Sequence, residues 1–489
     1  SEKHTYFTDT TFHLYQEKWG VNTRKSHTFK GGLDYSPNET TSISLQAKYT
    51  PSIRTNLDTV HYNETTIYNE TTIDGPFEYD RLTDAETLQS NWDVDLSGKK
   101  DWESGLHVDF DINKSHSSKE KSNLYTETML NTIDPGFGGY PLYEQLGNNR
   151  LNDQFESKID FSFGNDEEGK LEWGISARTR KIDQDQFTEV DSTLQGTWID
   201  NKHLENNFIY NDEVYSAYAT YAKSFGLWSA QAGLRAEQVN TYSELVNDSS
   251  TYQLDYFELY PSLHLNYKLD ESSSIQASYS RRVNRPGFYS LNPFPEYSDP
   301  YNLRMGNPFL KPEFVNSVEM GYQKFSQGNT FSASVYAKDI NDMQRRFISV
   351  DSNSVSTVTY RNLNGSVDVG VEFMWSKQLG KSFNFMVSSN MYHSQMDASN
   401  LTSDYDESTF GMWSSFNVGW KKNGHKIQLS GWVSPAASVG QGEMKTMFST
   451  DIAYSRPVLS DKGKFTVKIS DIFNTRGFGI DTHGAMFDQ

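Results

Sequence analysis

Eleven histidines are spread along 489 residues, and none falls in an H-x-H or H-E-x-x-H pair of the kind that seats zinc. The densest donor set is His107, Asp109 and Asp111 in GLHVDFDIN (105–113). Their spacing of two puts all three on one side of an extended chain, where oxygen and nitrogen donors could face a cation. Asp93 and Asp95 in NWDVDLS repeat the arrangement. The acidic run SDYDES (403–408) offers oxygens to calcium but lacks the ligand spacing of a calcium loop. Cysteine is absent, which excludes thiol nucleophiles, disulfides and thiolate-held metals. No G-x-S-x-G elbow or phosphate-cradling glycine loop occurs. The expectation is a chain that is no enzyme, with no catalytic residue, no cofactor and no metal site. Polar residues at every second position have a plainer meaning, which lies in the elements that carry them.

Those elements are strands. In 105–113, Leu106, Val108, Phe110 and Ile112 alternate with His107, Asp109, Asp111 and Asn113. In WSAQAGLRAE (228–237), Trp228, Ala230, Ala232, Leu234 and Ala236 alternate with Ser229, Gln231, Gly233, Arg235 and Glu237. The same rhythm recurs at Ile43/Leu45/Ala47/Tyr49, at Leu171/Trp173/Ile175/Ala177, at Phe331/Ala333/Val335/Ala337 and at Val367/Val369/Val371/Phe373/Trp375. Period two means one apolar and one polar face. About 18 such segments can be read. No run of apolar residues exceeds three and mean hydropathy is −0.71, so membrane-crossing helices are excluded.

Connections alternate between short polar turns, such as GNDEEG (164–169) and KKNGH (421–425), and long polar stretches over 55–89, 114–152 and 286–311. Structureless loops of that length are rare in a compact soluble domain, but short turns at one end and long loops at the other characterise a transmembrane β-barrel. A closed barrel pairs every backbone group internally, and only alternate residues need be apolar. Trp92, Trp102, Trp228 and Tyr267, near strand ends, fit an interfacial girdle. The fold expected is all-β, one large antiparallel barrel, with Asp109, Asp111, Arg235, Glu237 and Arg282 facing the lumen. The formal charge of −20, with no basic stripe along the sequence, argues against a nucleic-acid partner.

The stretch 278–322 stands apart. It runs SYSRRVNRPGFYSLNPFPEYSDPYNLRMGNPFLKPEFVNSVEMGY, with the triplet Asn-Pro-Phe at 292–294 and again at 307–309. Each proline stiffens the backbone and biases the preceding residue away from helix. Together with its aromatics this describes a long but ordered loop.

On these residues the sequence resembles the outer-membrane β-barrel family related to TonB-dependent receptors. The resemblance is carried by DYFELYPSLHLNYKL (255–269), SYSRRVNRP (278–286), LNPF (291–294), SDPY (298–301), GNPFLKPE (306–313), YRNLNGS (360–366), QGEMKTMFS (441–449) and VKISDIFNTRGF (467–478). Its signature positions here are Arg281, Arg282, Asn284, Arg285, Pro286, Asn292, Pro293, Asp299, Gly306, Asn307, Pro308 and Pro312. It is strong over 210–478 and diffuse over 1–209. The resemblance implies a 22-stranded barrel with long extracellular loops and short periplasmic turns, usually preceded by a small sandwich and a lumen-filling plug. The sequence opens SEKHTYF without signal-peptide features and ends HGAMFDQ soon after a strand expected at ISDIFNTR (469–476). The expectation is a single barrel domain over 1–489, incomplete at both ends, with the sandwich and plug outside it.

The resemblance further implies uptake of a nutrient or chelate across the outer membrane. The expected partners are outer-membrane lipid and lipopolysaccharide, the chain's own plug or a separate plugging protein, TonB and surface lipoproteins. The alternative is a barrel subunit of a larger assembly for secretion, barrel insertion or lipoprotein handling. A soluble all-β adhesive or carbohydrate-binding protein is a third reading, motivated by the 10 Trp and 29 Tyr.

Overall fold

β-Branched and aromatic residues at alternate positions favour extended chain, and strand follows strand with little interruption. The structure, a computed structural model, describes residues 2–6, 10–68, 71–130, 142–165, 167–191, 196–296, 299–401, 408–438, 440–460, 462–484 and 487–488. Eighteen wall strands can be followed among them. β1 runs Thr10–Ser26 and continues as Phe29–Asn38, β2 is Thr41–Tyr68, β3 Thr71–Asp101, β4 Leu106–Met129, β5 Leu142–Asn165 and β6 Gly169–Asp191. β7 is Asn206–Phe225, β8 Trp228–Leu245, β9 Ser250–Lys268, β10 Ser273–Asn284, β11 Glu313–Ser326 and β12 Asn329–Asn341. β13 is Gly365–Leu379, β14 Phe383–Asp397, β15 Ser408–Lys422, β16 His425–Ser434, β17 Met447–Val458 and β18 Gly463–Ile469. Each pairs antiparallel with the next, an up-and-down meander.

Among the described residues, one end of the wall carries only tight turns. Lys422 and His425 close across Asn423 and Gly424, both at positive φ (49° and 80°). Asn-Gly meets the backbone demand of a two-residue hairpin with little strain. At the other end, the rim, the short strand Glu2–Tyr6 pairs with β1 and with Phe487–Asp488, which pairs with Ile480–Gly484. These small strands draw the two ends of the meander together. Below the rim, among the described residues, Phe29–Asn38 pairs only with β2 and β18 only with β17.

The wall is inside-out relative to a soluble protein. On β13, Val367, Val369 and Val371 are 50%, 54% and 46% exposed, whereas Ser366, on the opposite face, is 4% exposed. A continuous outward apolar surface with a polar interior is the lipid-facing belt of a membrane barrel. Trp228 lies directly opposite Tyr267 with ring centroids 4.7 Å apart, and Trp92 stacks on His116 at 5.7 Å, as an aromatic row at a membrane interface would.

Two of the expected long loops are corrected. Residues 55–89 are mostly wall: β2 and β3, of 28 and 31 residues, pair up to Tyr68 and Thr71. Residues 114–152 are likewise wall on either side of 130–142, since β4 and β5 pair from Leu106/Phe163 up to Glu127/Leu142. Only 9–11 residues are needed to cross a bilayer, so these strands continue well beyond it. Beyond the bilayer both faces meet water, alternation fades, and Asn-, Asp- and Thr-rich strand resembles loop in sequence. The turn at 134–141 and nearly all of the acidic run at 403–408 fall outside the described residues.

Candidate functional site

The third long stretch, 286–311, is a true connection, and it does not stand up from the rim. It folds inward as a strap. Both Asn-Pro-Phe triplets form the same turn: Asn292 Oδ1 accepts from the Phe294 amide at 3.0 Å, and Asn307 Oδ1 accepts from the Phe309 amide at 3.0 Å. Asparagine bonds its own backbone two residues on, and proline between presets φ. The two turns are knotted together, with the Gly306 amide donating to the Asn292 carbonyl and the Asn307 amide to the Ser290 carbonyl, both at 2.7 Å. A β-carbon at Gly306 would lie 2.5 Å from that Asn292 oxygen, so the knot requires glycine.

One end of the strap is apolar. Phe288, Leu291 and Leu310 are buried against Ile182 of β6 and Phe208 and Tyr210 of β7. Phe288 packs 5.6 Å from Phe208 and 6.4 Å from Tyr210 between ring centroids. Pro286, Pro308 and Pro312 line a small apolar pocket beside them with Val239 and Tyr256. Arg285 donates to Tyr256 Oη at 2.9 Å and to Glu237, whose other oxygen accepts from Arg235 at 2.6 Å. Arg150 of β5 bonds Tyr289 and lies over its ring.

The far end is polar and crosses to the opposite wall. Asp299 accepts from Gln16 of β1 at 3.1 Å, and Tyr301 donates to Glu64 of β2 at 2.8 Å. Tyr301 also stacks near Phe12 and Tyr62, whose ring lies 4.6 Å from that of Tyr79. Burial pushes the Glu64 carboxyl above its ordinary value and the Tyr62 and Tyr79 hydroxyls well up. The strap thus leaves β10 and reaches β1, nine strands away in an eighteen-strand wall, spanning the lumen. Beside it, Asn302–Arg304 pairs in parallel with Ser356–Asn362, which forms a hairpin with Gln344–Val350. Lys3 secures this hairpin by donating to the Ser354 carbonyl at 2.5 Å, and burial pulls its amine down to about 8. Between strap, hairpin and wall lies a polar cavity of about 1550 Å³, lined among others by Tyr336, Lys338, Arg345, Asp368, Asn390 and Tyr392.

The signature residues therefore divide by task. Pro286, Asn292, Pro293, Asp299, Gly306, Asn307 and Pro308 belong to the strap, and Arg285 and Pro312 flank it. Asn284 donates to Glu313 at 2.6 Å where strap and wall meet. Arg281 bonds Glu258 at 2.5 Å and lies over the Phe314 ring, outside the strap. Arg282 alternates with it, opposite Val315. Asp109 and Asp111 lie far from this site, opposite Asp160 and Lys158 on β5, on the face that alternates with outward Val108, Phe110 and Ile112. Among the described residues no group of three or more His, Asp or Glu is placed to hold a metal ion.

Sequence reasoning missed two charged nodes on the wall above the membrane. Arg81, buried, pairs with Glu127 and with Glu144 at 3.0 Å and lies 4.3 Å from the Tyr125 ring centroid. Asp212, also buried, accepts from Arg178 at 3.1 Å and Arg180 at 3.0 Å. Alternation could have put each residue on its face, but only strand register brings them together.

The fold is similar to several solved structures. The ferric yersiniabactin uptake receptor FyuA from Yersinia pestis is 12% identical with a TM-score of 0.55, over 100% of this chain and 77% of that one. The FrpB iron transporter from Neisseria meningitidis is 12% identical at 0.54, over 99% and 80%. The copper transporter OprC is 11% identical at 0.58, over 98% and 76%. At such identities the likeness is one of fold. No curated protein matches the sequence. Residues 99–489 match the model of the outer membrane protein beta-barrel family. This chain therefore belongs to that family, as a β-barrel of the bacterial outer membrane.

Proposed function

We propose that this barrel takes up a nutrient or metal chelate across the outer membrane, in the manner of TonB-dependent receptors. The observation that carries the reading is the strap: a wide polar lumen crossed by an ordered, ion-paired connection that leaves a cavity of about 1550 Å³ at the rim. That volume exceeds the few hundred to 1,000 Å³ of ordinary small-molecule sites, and it suits a bulky polar cargo. The fold shared with FyuA, FrpB and OprC supports it, since those proteins are named for iron or copper uptake. In this reading the wall is scaffold and does no chemistry. Strap and hairpin recognise cargo, and a plug domain energised through TonB lies below them. Lumen residues Arg235, Glu237, Arg282, Asp109 and Asp111 line the path.

The test is uptake by cells. A strain lacking the gene should fail to take up one member of a panel of labelled metal chelates, complementation should restore it, and a protonophore should abolish it. Wild-type uptake of every chelate by the deletion strain would overturn the reading and favour a barrel that serves as a subunit of a larger assembly.

A further inference from the structure

The sequence holds no basic run, yet strand register assembles one inside the rim. Arg24 of β1 lies directly opposite Arg54 of β2. Arg54 lies opposite Thr87, which lies opposite Lys121 of β4. Lys119, two residues along on the same face, lies directly opposite Arg150 of β5. All share the face of buried Leu14, Tyr62, Tyr125 and Leu146, the interior. Like charges directly opposite each other on one face of a sheet are destabilising, and here two such pairs stand on either side of β3. Among the described residues Arg24, Arg54, Lys119 and Lys121 make no ion pair, in a chain with 64 acidic residues against 44 basic ones. Lys18 has already found Asp58, at 3.1 Å.

Lys119 and Lys121 are half-buried, and both amines are held below their ordinary value, by burial first and then by neighbouring cations. The carboxylate that acts on both is Glu296, which lies on the strap and not on the wall. Strands lie about 4.8 Å apart, so Arg54 and Lys121 sit roughly 10 Å apart with side chains long enough to converge on one small ligand. Guanidinium forks and ammonium groups together suit carboxylate or phosphate oxygens.

We propose that Arg54, Lys119, Lys121 and Arg150 form a binding site for a compact multivalent anion, a polycarboxylate or a polyphosphate, which competes with the strap's own Glu296. The proposal deepens the uptake reading by naming a cargo class, but the site is tested without transport.

The full native protein in detergent is titrated calorimetrically at low ionic strength with citrate and, separately, with pyrophosphate. Saturable binding of either probe is expected, and which one binds identifies the oxygen chemistry. The double variant Lys119→Gln/Lys121→Gln should weaken binding about tenfold or more. Glu296→Gln should tighten it, since the internal competitor is gone. Lys468→Gln, which removes a cation of β18 already paired with Asp451 at 2.8 Å and outside both strap and cavity, should leave it unchanged. Folding provides a second readout: the double variant should melt above the wild type in anion-free buffer, and the anion should raise the melting temperature of the wild type alone. Absence of binding by both probes, unchanged binding in the double variant, or equal weakening by Lys468→Gln would overturn the site. Binding in a protein whose deletion leaves uptake intact would keep the site and sink the uptake reading.

Discussion

The two halves of the wall solve the same problem differently. From β2 to β9 the strands run 18 to 31 residues, and from β10 to β18 only 7 to 15. The tall half carries its polar backbone out of the membrane in ladder hydrogen bonds and buries charge within them. The short half stops near the membrane and sends its connections inward as strap and hairpin. There, backbone groups find partners in side-chain turns such as Asn292 and Asn307. Ladder strands open only cooperatively, whereas a packed connection can detach alone. The tall half is thus a rigid receptacle, and the short half supplies a cover able to move.

The sharpest test of that rigidity is Arg81→Met. It strands Glu127 and Glu144, both close to fully buried, with no cation between them. Breaking one side of a buried ion cluster costs about 3–5 kcal/mol. The loss should appear as a lower urea midpoint of the folded barrel in detergent or lipid. An effect under about 1 kcal/mol would mean that the tall rim is wet and loose, and the contrast between halves would fail.

Next in size is the membrane boundary. Val369→Arg places a charge on the lipid face of the short half, where about 2–4 kcal/mol is expected near the midplane. Leu82→Arg, equally outward on the tall half but ten residues beyond Trp92, should cost less than about 0.5 kcal/mol. Folding yields into vesicles for the two variants should differ accordingly. Equal losses would show that the tall strands are embedded in lipid and do not rise above it.

The cover is addressed by Gly306→Ala. The added methyl meets the Asn292 carbonyl, and overpacking of this kind costs about 1–3 kcal/mol. The strap should lose protection in amide hydrogen exchange while β2 to β6 keep theirs. Loss of protection throughout the tall half would show that the strap is a keystone and not a detachable cover.

What could be read from the sequence follows the same division. Where one face meets lipid and the other water, alternation is strong, and the wall from Trp228 to Tyr267 was legible residue by residue. Above the membrane that signal disappears, so 55–89 reads as loop although it is paired strand. The strap was legible as ordered, because Asn-Pro-Phe is a local device. Its destination was not. Tyr301 meets Glu64 across 237 residues, and Arg54 meets Lys121 only through Thr87 on a third strand. Contacts set by register around the wall leave no local trace, so charged nodes such as Arg81 with Glu127 and Glu144 remain invisible to periodicity.

The smallest expected effect concerns the hairpin 344–362 and its attachment by Lys3. In the folded protein the Lys3 amine sits at about 8, against 10.5 when free, chiefly because it is buried, with Asp299 and Asp351 opposing the shift. Between those values the detached state binds more protons than the attached one, so attachment strengthens as pH rises from about 8 to 10.5 and gains nothing further above it. With water at the rim screening the charge, the gain is on the order of 1–2 kcal/mol. Protease cleavage within 351–355, at the hairpin turn, should therefore slow across that window in the wild type. In Lys3→Met, which keeps the length and loses the titrating amine, the cleavage rate should be flat with pH after correction for the protease's own profile. A wild type equally flat would mean that Lys3 keeps its charge when attached. The cover would then be held by an ammonium hydrogen bond insensitive to pH in this range, and the short half would lack the movable contact that distinguishes it from the tall one.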